Sequence, residues 1–188
     1  AANKVIDPQQ EKMMNKTLLA MLMTTLLAFQ VKAEDKNSMK LKTISNNNLS
    51  FYTGTFDLID KEGDDKTTLF GIEHKNPNLF RDTFLGKFKP ISGAFTTGKS
   101  SLYLYTGVEA QYGLGPLKIL PSFSPGYYEK GDGKDLGSAL EFKSELKLGL
   151  DIFENSKLSY SYSHISNNDW GDTNPGTDNQ QITFSKNF

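Results

Sequence analysis

The sequence contains no cysteine and only two histidines. Without cysteine the chain can form neither a disulfide framework nor a thiolate metal site, and two histidines exclude a multi-histidine zinc site of the usual kind. An excess of charge of one sign is also lacking, because 21 Lys and Arg side chains are balanced by 22 Asp and Glu. Nucleic-acid-binding domains usually have a clearly basic balance, so the composition argues against nucleic acid as a partner.

Long hydrophobic runs are scarce as well. An apolar run at residues 18–29 follows Lys16 and precedes Ala33, which is the order of a secretory signal peptide with a small-residue cleavage site. The alternative is a membrane-anchoring helix, but the run is shorter than the roughly 20 apolar residues that a span needs. The sequence therefore predicts an upstream extension plus signal peptide at residues 1–33, and a mature chain at residues 34–188.

The mature part reads as strands separated by turns, at the spacing of a barrel or a sandwich. The predicted strands are residues 49–60, 66–76, 80–95, 101–113, 117–129, 138–153, 157–167 and 178–188. Eight is an even number, as in the outer-membrane barrels that bacteria build from one chain.

The sixth segment alternates most clearly between two kinds of side chain. One parity carries Leu140, Phe142, Leu146, Leu148, Leu150 and Ile152, and the other carries Glu141, Lys143, Glu145 and Lys147. Since successive strand side chains point to opposite faces, one face is apolar and the other is charged. The charged face meets water in a soluble sandwich and fills the lumen in a membrane barrel, so this segment alone does not distinguish the two.

The connections between segments favour the membrane barrel. Links near Asn76, after Gly113 and at Glu154 are short, whereas three of the four links at the opposite end are longer. Short periplasmic turns and longer outer loops are typical of outer-membrane barrels. The amphipathic last segment ends on Phe188, which resembles the signal read by the barrel-assembly machinery. The predicted fold is therefore all-β, an eight-stranded antiparallel transmembrane β-barrel in the bacterial outer membrane.

Three polar residues have the parity that should face lipid. His164 and Ser166 share the parity of the apolar and aromatic residues of segment seven, and Asp178 shares that of the apolar residues of segment eight. Such residues are costly on a lipid face. Cross-strand neighbours lie about 5 Å apart, so Asp178 can orient His164 while His164 activates Ser166, as in a serine, histidine and acid triad. The alternative is a set of interface polar or loop-capping residues.

The motif "YSHISN", followed by "NPGTD" and a final amphipathic strand, resembles the PagL-type lipid A 3-O-deacylases. The family pattern is His-x-Ser-Asn, then Asn-x-Gly in a loop, then an acidic residue two positions later. The matching positions are His164, Ser166, Asn167, Asn174, Gly176 and Asp178. The family usually has Glu at the last position, so the shorter Asp178 is expected to make a longer or water-mediated contact with His164.

The resemblance implies a catalytic role for each residue and a substrate for the protein. Ser166 would be the nucleophile, His164 the base and Asp178 the orienting acid, while Asn167, Asn174 and Gly176 would support the oxyanion site and its loop. The reaction would be hydrolysis of the 3-O-linked acyl ester of lipid A, at a lipid-facing site on the outer-leaflet side. The implied partners are lipopolysaccharide and outer-membrane lipids, and no metal or cofactor is implied. The alternative is a non-catalytic small barrel with a structural or surface-binding role.

Overall fold

The computed structural model describes residues 47–59, 65–84 and 86–188. The predicted signal peptide and nearly all of the polar segment that follows it lie outside the described residues, and so does most of the first long loop. The part of the chain that the structure describes contains no helix long and apolar enough to cross a membrane.

The described residues form eight long strands and two short ones in a single sheet. The strands are β1 (Asn48–Phe56), β2 (Thr67–Lys75), β3 (Arg81–Thr83), β4 (Gly86–Thr97), β5 (Leu102–Ala110), β6 (Tyr112–Leu114), β7 (Leu117–Glu129), β8 (Leu140–Phe153), β9 (Ser156–Ser166) and β10 (Thr177–Asn187). The long strands pair in the order β2-β1-β10-β9-β8-β7-β5-β4, and β2 also pairs with β4. This last pairing closes the sheet, so the predicted eight-stranded antiparallel barrel is confirmed.

Strand β8 shows which way the sheet faces. Its charged side chains are buried inside the barrel, with Glu141 and Lys143 at 0% and 2% exposure. Its leucines lie outside, with Leu146 at 49% and Leu150 at 48%. An apolar exterior around a charged interior is the reverse of a soluble sandwich and is the pattern of a membrane barrel.

The charged side chains in the lumen neutralise one another. Lys147 Nζ lies 2.6 Å from Glu73 and 3.1 Å from Glu109, and Lys75 lies 2.7 Å from Glu109. Lys143 pairs with Glu145 at 2.9 Å. Buried charges are tolerated when they are paired and hydrogen-bonded, and these lysines join strands β2, β5 and β8 across the lumen.

Aromatic rings fill the lumen beside this network. The Tyr103 and Tyr105 rings stack at 5.5 Å, and Phe95 packs on Tyr103 at 5.4 Å. A Cβ on Gly93 would lie only 2.5 Å from Tyr105 Oη, so the glycine allows the ring to lie flat against the neighbouring strand.

The two ends of the barrel differ in their connections. Strands β8 and β9 are joined by the turn at residues 154–155, whereas residues 130–139 and 167–176 form long loops at the other end.

One link was predicted to be shorter than it is. The chain between β2 and β4 spans residues 76–85, because β3 folds back on the start of β4 as a separate hairpin. Gly86, at φ 112°, allows the backbone to reverse there.

Candidate active site

Two of the predicted residues meet on the outer surface of the barrel. Strands β9 and β10 are antiparallel neighbours, and their register places Asp178 directly opposite His164. His164 Nδ1 lies 3.0 Å from Asp178 Oδ1, with side-chain exposures of 50% and 27%. Both side chains therefore point out of the barrel, as their shared parity with the apolar residues predicted.

The contact between these residues is direct. The sequence predicted a longer or water-mediated contact, because aspartate is one methylene shorter than the glutamate usual in the family pattern. That expectation was wrong, since 3.0 Å is an ordinary hydrogen-bond distance. The reason is the register, because residues directly opposite in an antiparallel pair bring their Cβ atoms close enough for a short side chain to reach.

The backbone of Gly176 approaches the His164 ring closely. A Cβ added at Gly176 would lie 3.1 Å from His164 Cε1 and 3.4 Å from Nε2. Gly176 also has φ 61°, which disfavours other residues. The imidazole therefore leans over β10 towards the loop end of the barrel, with Nδ1 held by Asp178.

Ser166 lies two residues beyond His164 and is partly exposed. Among the hydrogen bonds of the described residues, none joins its hydroxyl to His164. On β8, the register places Phe142 opposite Ser166 and Ser144 opposite His164. Ser144 is a second exposed hydroxyl beside the imidazole that the sequence reading did not single out. It lies on the β8 side of His164, whereas the imidazole leans towards β10.

Asn167 and Asn174 hold the loop between β9 and β10. The Asn167 side chain is fully buried and points into the barrel, where Nδ2 donates to Leu136 O at 2.8 Å and to Thr173 O at 2.7 Å. Its backbone N–H donates to Asn174 Oδ1 at 3.1 Å. Both protons of the Asn167 amide are therefore used in holding the loops. Asn174 Nδ2 donates one hydrogen to Asp169 Oδ1 at 3.0 Å.

The β7–β8 loop supports the site loop from the side. Lys130 and the backbone N–H of Gly137 both donate hydrogen bonds to Asp135, at 2.8 and 2.9 Å. These bonds lower the pKa of the Asp135 carboxyl, with the Lys130 contact as the larger cause. The folded loop presents Leu136 O to Asn167. The position of the site loop therefore depends on this second loop.

Aromatic side chains adjoin the site. Phe123 and Phe142 stack at 5.9 Å, and Trp170 packs edge-on against Phe142 at 5.2 Å. We call Phe123, Phe142 and Trp170 the aromatic row. On the other side of His164 along β9 lies the exposed Tyr162 ring. Tyr162 shares the parity of His164 on β9, and Phe142 lies opposite Ser166 on β8, so both rings lie on the lipid face. The register of the hairpins is what brings these rings beside the site.

A model of the family described as lipid A 3-O-deacylase (PagL) matches residues 68–187, well over half of the chain. The chain belongs to the PagL lipid A 3-O-deacylase family. The crystal structure of the outer membrane enzyme PagL superimposes with a TM-score of 0.57 at 15% identity, covering 74% of this chain and 98% of that one. A de novo designed transmembrane β-barrel superimposes with a TM-score of 0.53 at 12% identity, covering 80% and 100%. A search of curated protein sequences gave no match.

Membership of the PagL family makes this chain an integral outer-membrane barrel of a hydrolase family that acts on lipid A. The match spans both strands that carry His164 and Asp178, and the loop between them. At 15% identity the solved PagL structure supports the fold. That likeness assigns no role to the individual side chains of this chain.

Proposed function

We propose that this protein removes the ester-linked acyl chain at the 3-position of lipid A by a triad of Ser166, His164 and Asp178. The observation that carries the proposal is the hydrogen bond of 3.0 Å between His164 Nδ1 and Asp178 Oδ1 on the lipid-facing surface. A carboxylate on one ring nitrogen leaves the other free to act as a base. A polar pair on a lipid-facing surface costs free energy, so its presence there suggests a function.

In the proposed first step, Ser166 Oγ attacks the ester carbonyl and His164 Nε2 takes the hydroxyl proton. Asp178 accepts the hydrogen bond from Nδ1–H, which fixes the tautomer and stabilises the imidazolium that forms. His164 then gives the proton to the sugar oxygen as the ester C–O bond breaks, leaving an acyl-enzyme on Ser166. Water, activated by the same histidine, releases the fatty acid and restores the serine.

Asn174 is the better candidate for binding the oxyanion. The amide protons of Asn167 are both donated to backbone carbonyls inside the barrel. Asn174 Nδ2 has two hydrogens and donates one of them to Asp169. The second hydrogen is available for the oxygen that becomes negatively charged in the transition state. We therefore assign Asn167 to loop support and Asn174 to oxyanion binding.

The aromatic row gives the acyl chain a surface beside the nucleophile. Phe142 is the cross-strand neighbour of Ser166, and Trp170 packs on its edge. Exposed rings next to a polar site suit a substrate whose ester is polar and whose chain is apolar. The site lies at the barrel end away from the start of β1 and the end of β10, and we assign this end to the outer leaflet, where lipid A resides.

Replacing Ser166 by alanine tests the nucleophile against a matched control. The variants are Ser166→Ala and Ser144→Ala, which remove one hydroxyl each from the same outer surface, on either side of His164. We expect Ser166→Ala to lower release of the 3-hydroxyacyl chain from lipid A by about a thousandfold or more. Ser144→Ala should keep the wild-type rate. Mass spectrometry of lipid A, with the slower gel migration of heated samples as a check of folding, measures both.

The possible outcomes of this comparison distinguish the proposed triad from its alternatives. Loss of activity in Ser144→Ala alone would assign the nucleophile to β8 instead of β9. Unchanged release in both variants would reject the triad. A folded wild-type protein that releases no acyl chain at all would favour the non-catalytic barrel.

A further inference from the structure

The end of the barrel opposite the proposed site opens into a polar cavity of about 550 Å³. It lies where β1 begins and β10 ends, and the assignment of the site to the outer leaflet places it on the periplasmic side. The described residues that line it include one acidic side chain, several amides and hydroxyls, and four lysines. These lysines are Lys75 on β2, Lys89 on β4, Lys118 on β7 and Lys157 on β9.

Two of the four lysines have carboxylate partners. Lys75 Nζ lies 2.7 Å from Glu109, which is buried behind the cavity wall. Lys118 Nζ lies 3.9 Å from Asp151, the acidic side chain of the lining. Each of these two positive charges therefore has a negative charge beside it.

Lys89 and Lys157 have no such partner. No carboxylate of the described residues lies within 4.0 Å of either ammonium group. Glu109 is opposite Lys89 in the register of β4 and β5. Its single negative charge is already shared between Lys75 at 2.7 Å and Lys147 at 3.1 Å. The cavity thus has two positive charges that the described carboxylates do not neutralise.

The Lys157 side chain extends across the mouth of the barrel. A Cβ added at Gly149 on β8 would lie 2.8 Å from Lys157 Cδ, so the lysine stem passes over this glycine. Its Nζ donates a hydrogen bond to Gln111 Oε1, between β5 and β6, at 3.4 Å. An ammonium group has three hydrogens, so two remain for a ligand. A partly buried cation without a counter-charge costs free energy, which an anion in the cavity would offset.

Asn187 adds a neutral donor to the cavity lining. Its Oδ1 accepts a hydrogen bond from Asn48 Nδ2 at 2.8 Å, which determines the orientation of the Asn187 amide. Among the hydrogen bonds of the described residues, none uses the two hydrogens of Asn187 Nδ2. Since Asn187 lines the cavity, these hydrogens are available to a ligand there.

We infer that this cavity binds a phosphate group through Lys89, Lys157 and Asn187. A phosphate monoester has close to two negative charges and three acceptor oxygens on one group, which match two ammonium groups and a neutral donor. Lysine is a common ligand of phosphate, and a single carboxylate would supply only one charge. The phosphate comes either from a soluble compound or from a phospholipid headgroup of the inner leaflet. The inference does not depend on the proposed function.

Pyrophosphate is a suitable probe for this cavity. The folded protein is titrated with pyrophosphate by isothermal calorimetry in maltoside micelles, which contain no phosphate. We expect binding that weakens by about tenfold or more in Lys89→Met and in Lys157→Met, because each variant loses one contact between an ammonium group and the phosphate. Methionine retains an unbranched stem, and the gel migration of unheated and heated samples checks that each variant is folded.

Lys186→Met is the matched control for these two variants. Lys186 lies near the same end of the barrel, but it shares the outward parity of Ile182 and Phe184 on β10. Its replacement removes the same charge without changing the cavity. We therefore expect Lys186→Met to bind pyrophosphate as wild type does.

Nanodiscs distinguish the two sources of phosphate and leave both ends of the barrel accessible. The titration is repeated in phosphatidylcholine with added phosphatidylglycerol, or with added sulfoquinovosyl diacylglycerol, which has the same net charge but a sulfonate. Weaker pyrophosphate binding with phosphatidylglycerol than with the sulfonate lipid would assign the cavity to a lipid headgroup. Equal binding in the two would assign it to a soluble phosphate compound.

The inference is overturned if wild type binds no pyrophosphate at millimolar concentrations, or if Lys89→Met and Lys157→Met bind it as tightly as wild type. An equal loss in Lys186→Met would mean that only the general charge of the rim attracts the anion. Equal affinity for tricarballylate, which has a similar charge on carboxylates, would show that the cavity does not select phosphate. Either result also rejects the inference. Lipid A deacylation is measured separately, so a failure of the proposed function is distinguishable from a failure of this site.

Discussion

At the residue scale, the carboxylate opposite His164 decides which ring nitrogen holds the proton. Asp178 reaches Nδ1 at 3.0 Å because the β9–β10 register places the two residues directly across from each other. A neutral imidazole has one donor nitrogen and one acceptor nitrogen, so a partner on Nδ1 makes Nε2 the acceptor. The same geometry permits glutamate at this position, since a longer side chain can fold to the same contact.

Asp178→Asn should therefore impair the reaction more than Asp178→Glu. The asparagine variant loses the negative charge and can stabilise the wrong tautomer, so we expect a fall of about a hundredfold or more in kcat/KM. The glutamate variant should retain most of the activity. Acyl-chain release from lipid A measures both rates, and an asparagine variant as active as wild type would contradict the role given to Asp178.

Gly176 has no side chain, and this leaves space for the His164 ring. Gly176→Ala should displace the His164 ring, because the added Cβ would lie 3.1 Å from Cε1. We expect deacylation to fall between about tenfold and a hundredfold, as for other small displacements of a reacting group. Gly115→Ala is the matched control, since Gly115 has the same φ of 61° but nothing within 4 Å of the added Cβ. Equal rates in the two variants would mean that contact with the ring is unimportant.

At the element scale, residue alternation predicted several strands closely, including the two that carry the site. Strands β9 and β10 begin and end within a residue or so of the prediction, because polar and apolar residues alternate through both. The segment at residues 80–95 was predicted as one strand. It is divided into β3 and β4 by a tight reversal that depends on a positive φ at Gly86, which residue alternation does not reveal.

Strand parity was enough to predict which side chains of the site lie on the outer face of the barrel. His164 and Asp178 pair because one hairpin sets their register, and a hairpin can be read from sequence. Asn167 shares the parity of the buried Ser163 and Ile165, so its inward direction was open to the same reasoning. The pairing of Lys143 with Glu145 was not, because only the folded lumen shows which of its charged side chains meet.

Strand β8 offers a test of the lipid-facing surface. Leu148 is exposed near the middle of the strand, so Leu148→Arg should lower the free energy of unfolding by about 2–4 kcal/mol. Phe153→Arg lies at the end of the same strand and should cost at most about 1 kcal/mol. Denaturant unfolding in phospholipid vesicles measures both. Similar losses of stability in the two variants would contradict a bilayer whose midplane lies near the middle of β8.

At the scale of the whole molecule, the lumen is held by charges that share partners. Lys147 contacts Glu73 and Glu109, and Glu109 also contacts Lys75, so three strands depend on one group of ions. Stacked rings such as Tyr103 and Tyr105 also fill the lumen, together with buried polar side chains such as Ser161 and Gln181. Such an interior gives the outer surface a rigid support, on which a site built from two strands keeps its geometry.

Lys147→Met should destabilise the barrel strongly, because it leaves Glu73 and Glu109 buried with one partner fewer. We expect a loss of about 3–5 kcal/mol in the free energy of unfolding. Lys99→Met removes a surface pair with Asp65 at 3.4 Å and should cost less than about 1 kcal/mol. Thermal or denaturant unfolding compares the two, and a lumen variant as stable as the surface variant would show that the network is dispensable.

Under the proposed function, the outward direction of His164 and Asp178 also determines which concentration of substrate sets the rate. Substrate that arrives within the plane of the bilayer is counted per area of membrane, not per volume of water. The rate of a site in this position follows the mole fraction of lipid A among its neighbouring lipids. Diluting the bilayer with inert phospholipid then slows turnover, even when the total amounts of enzyme and substrate in the sample are unchanged.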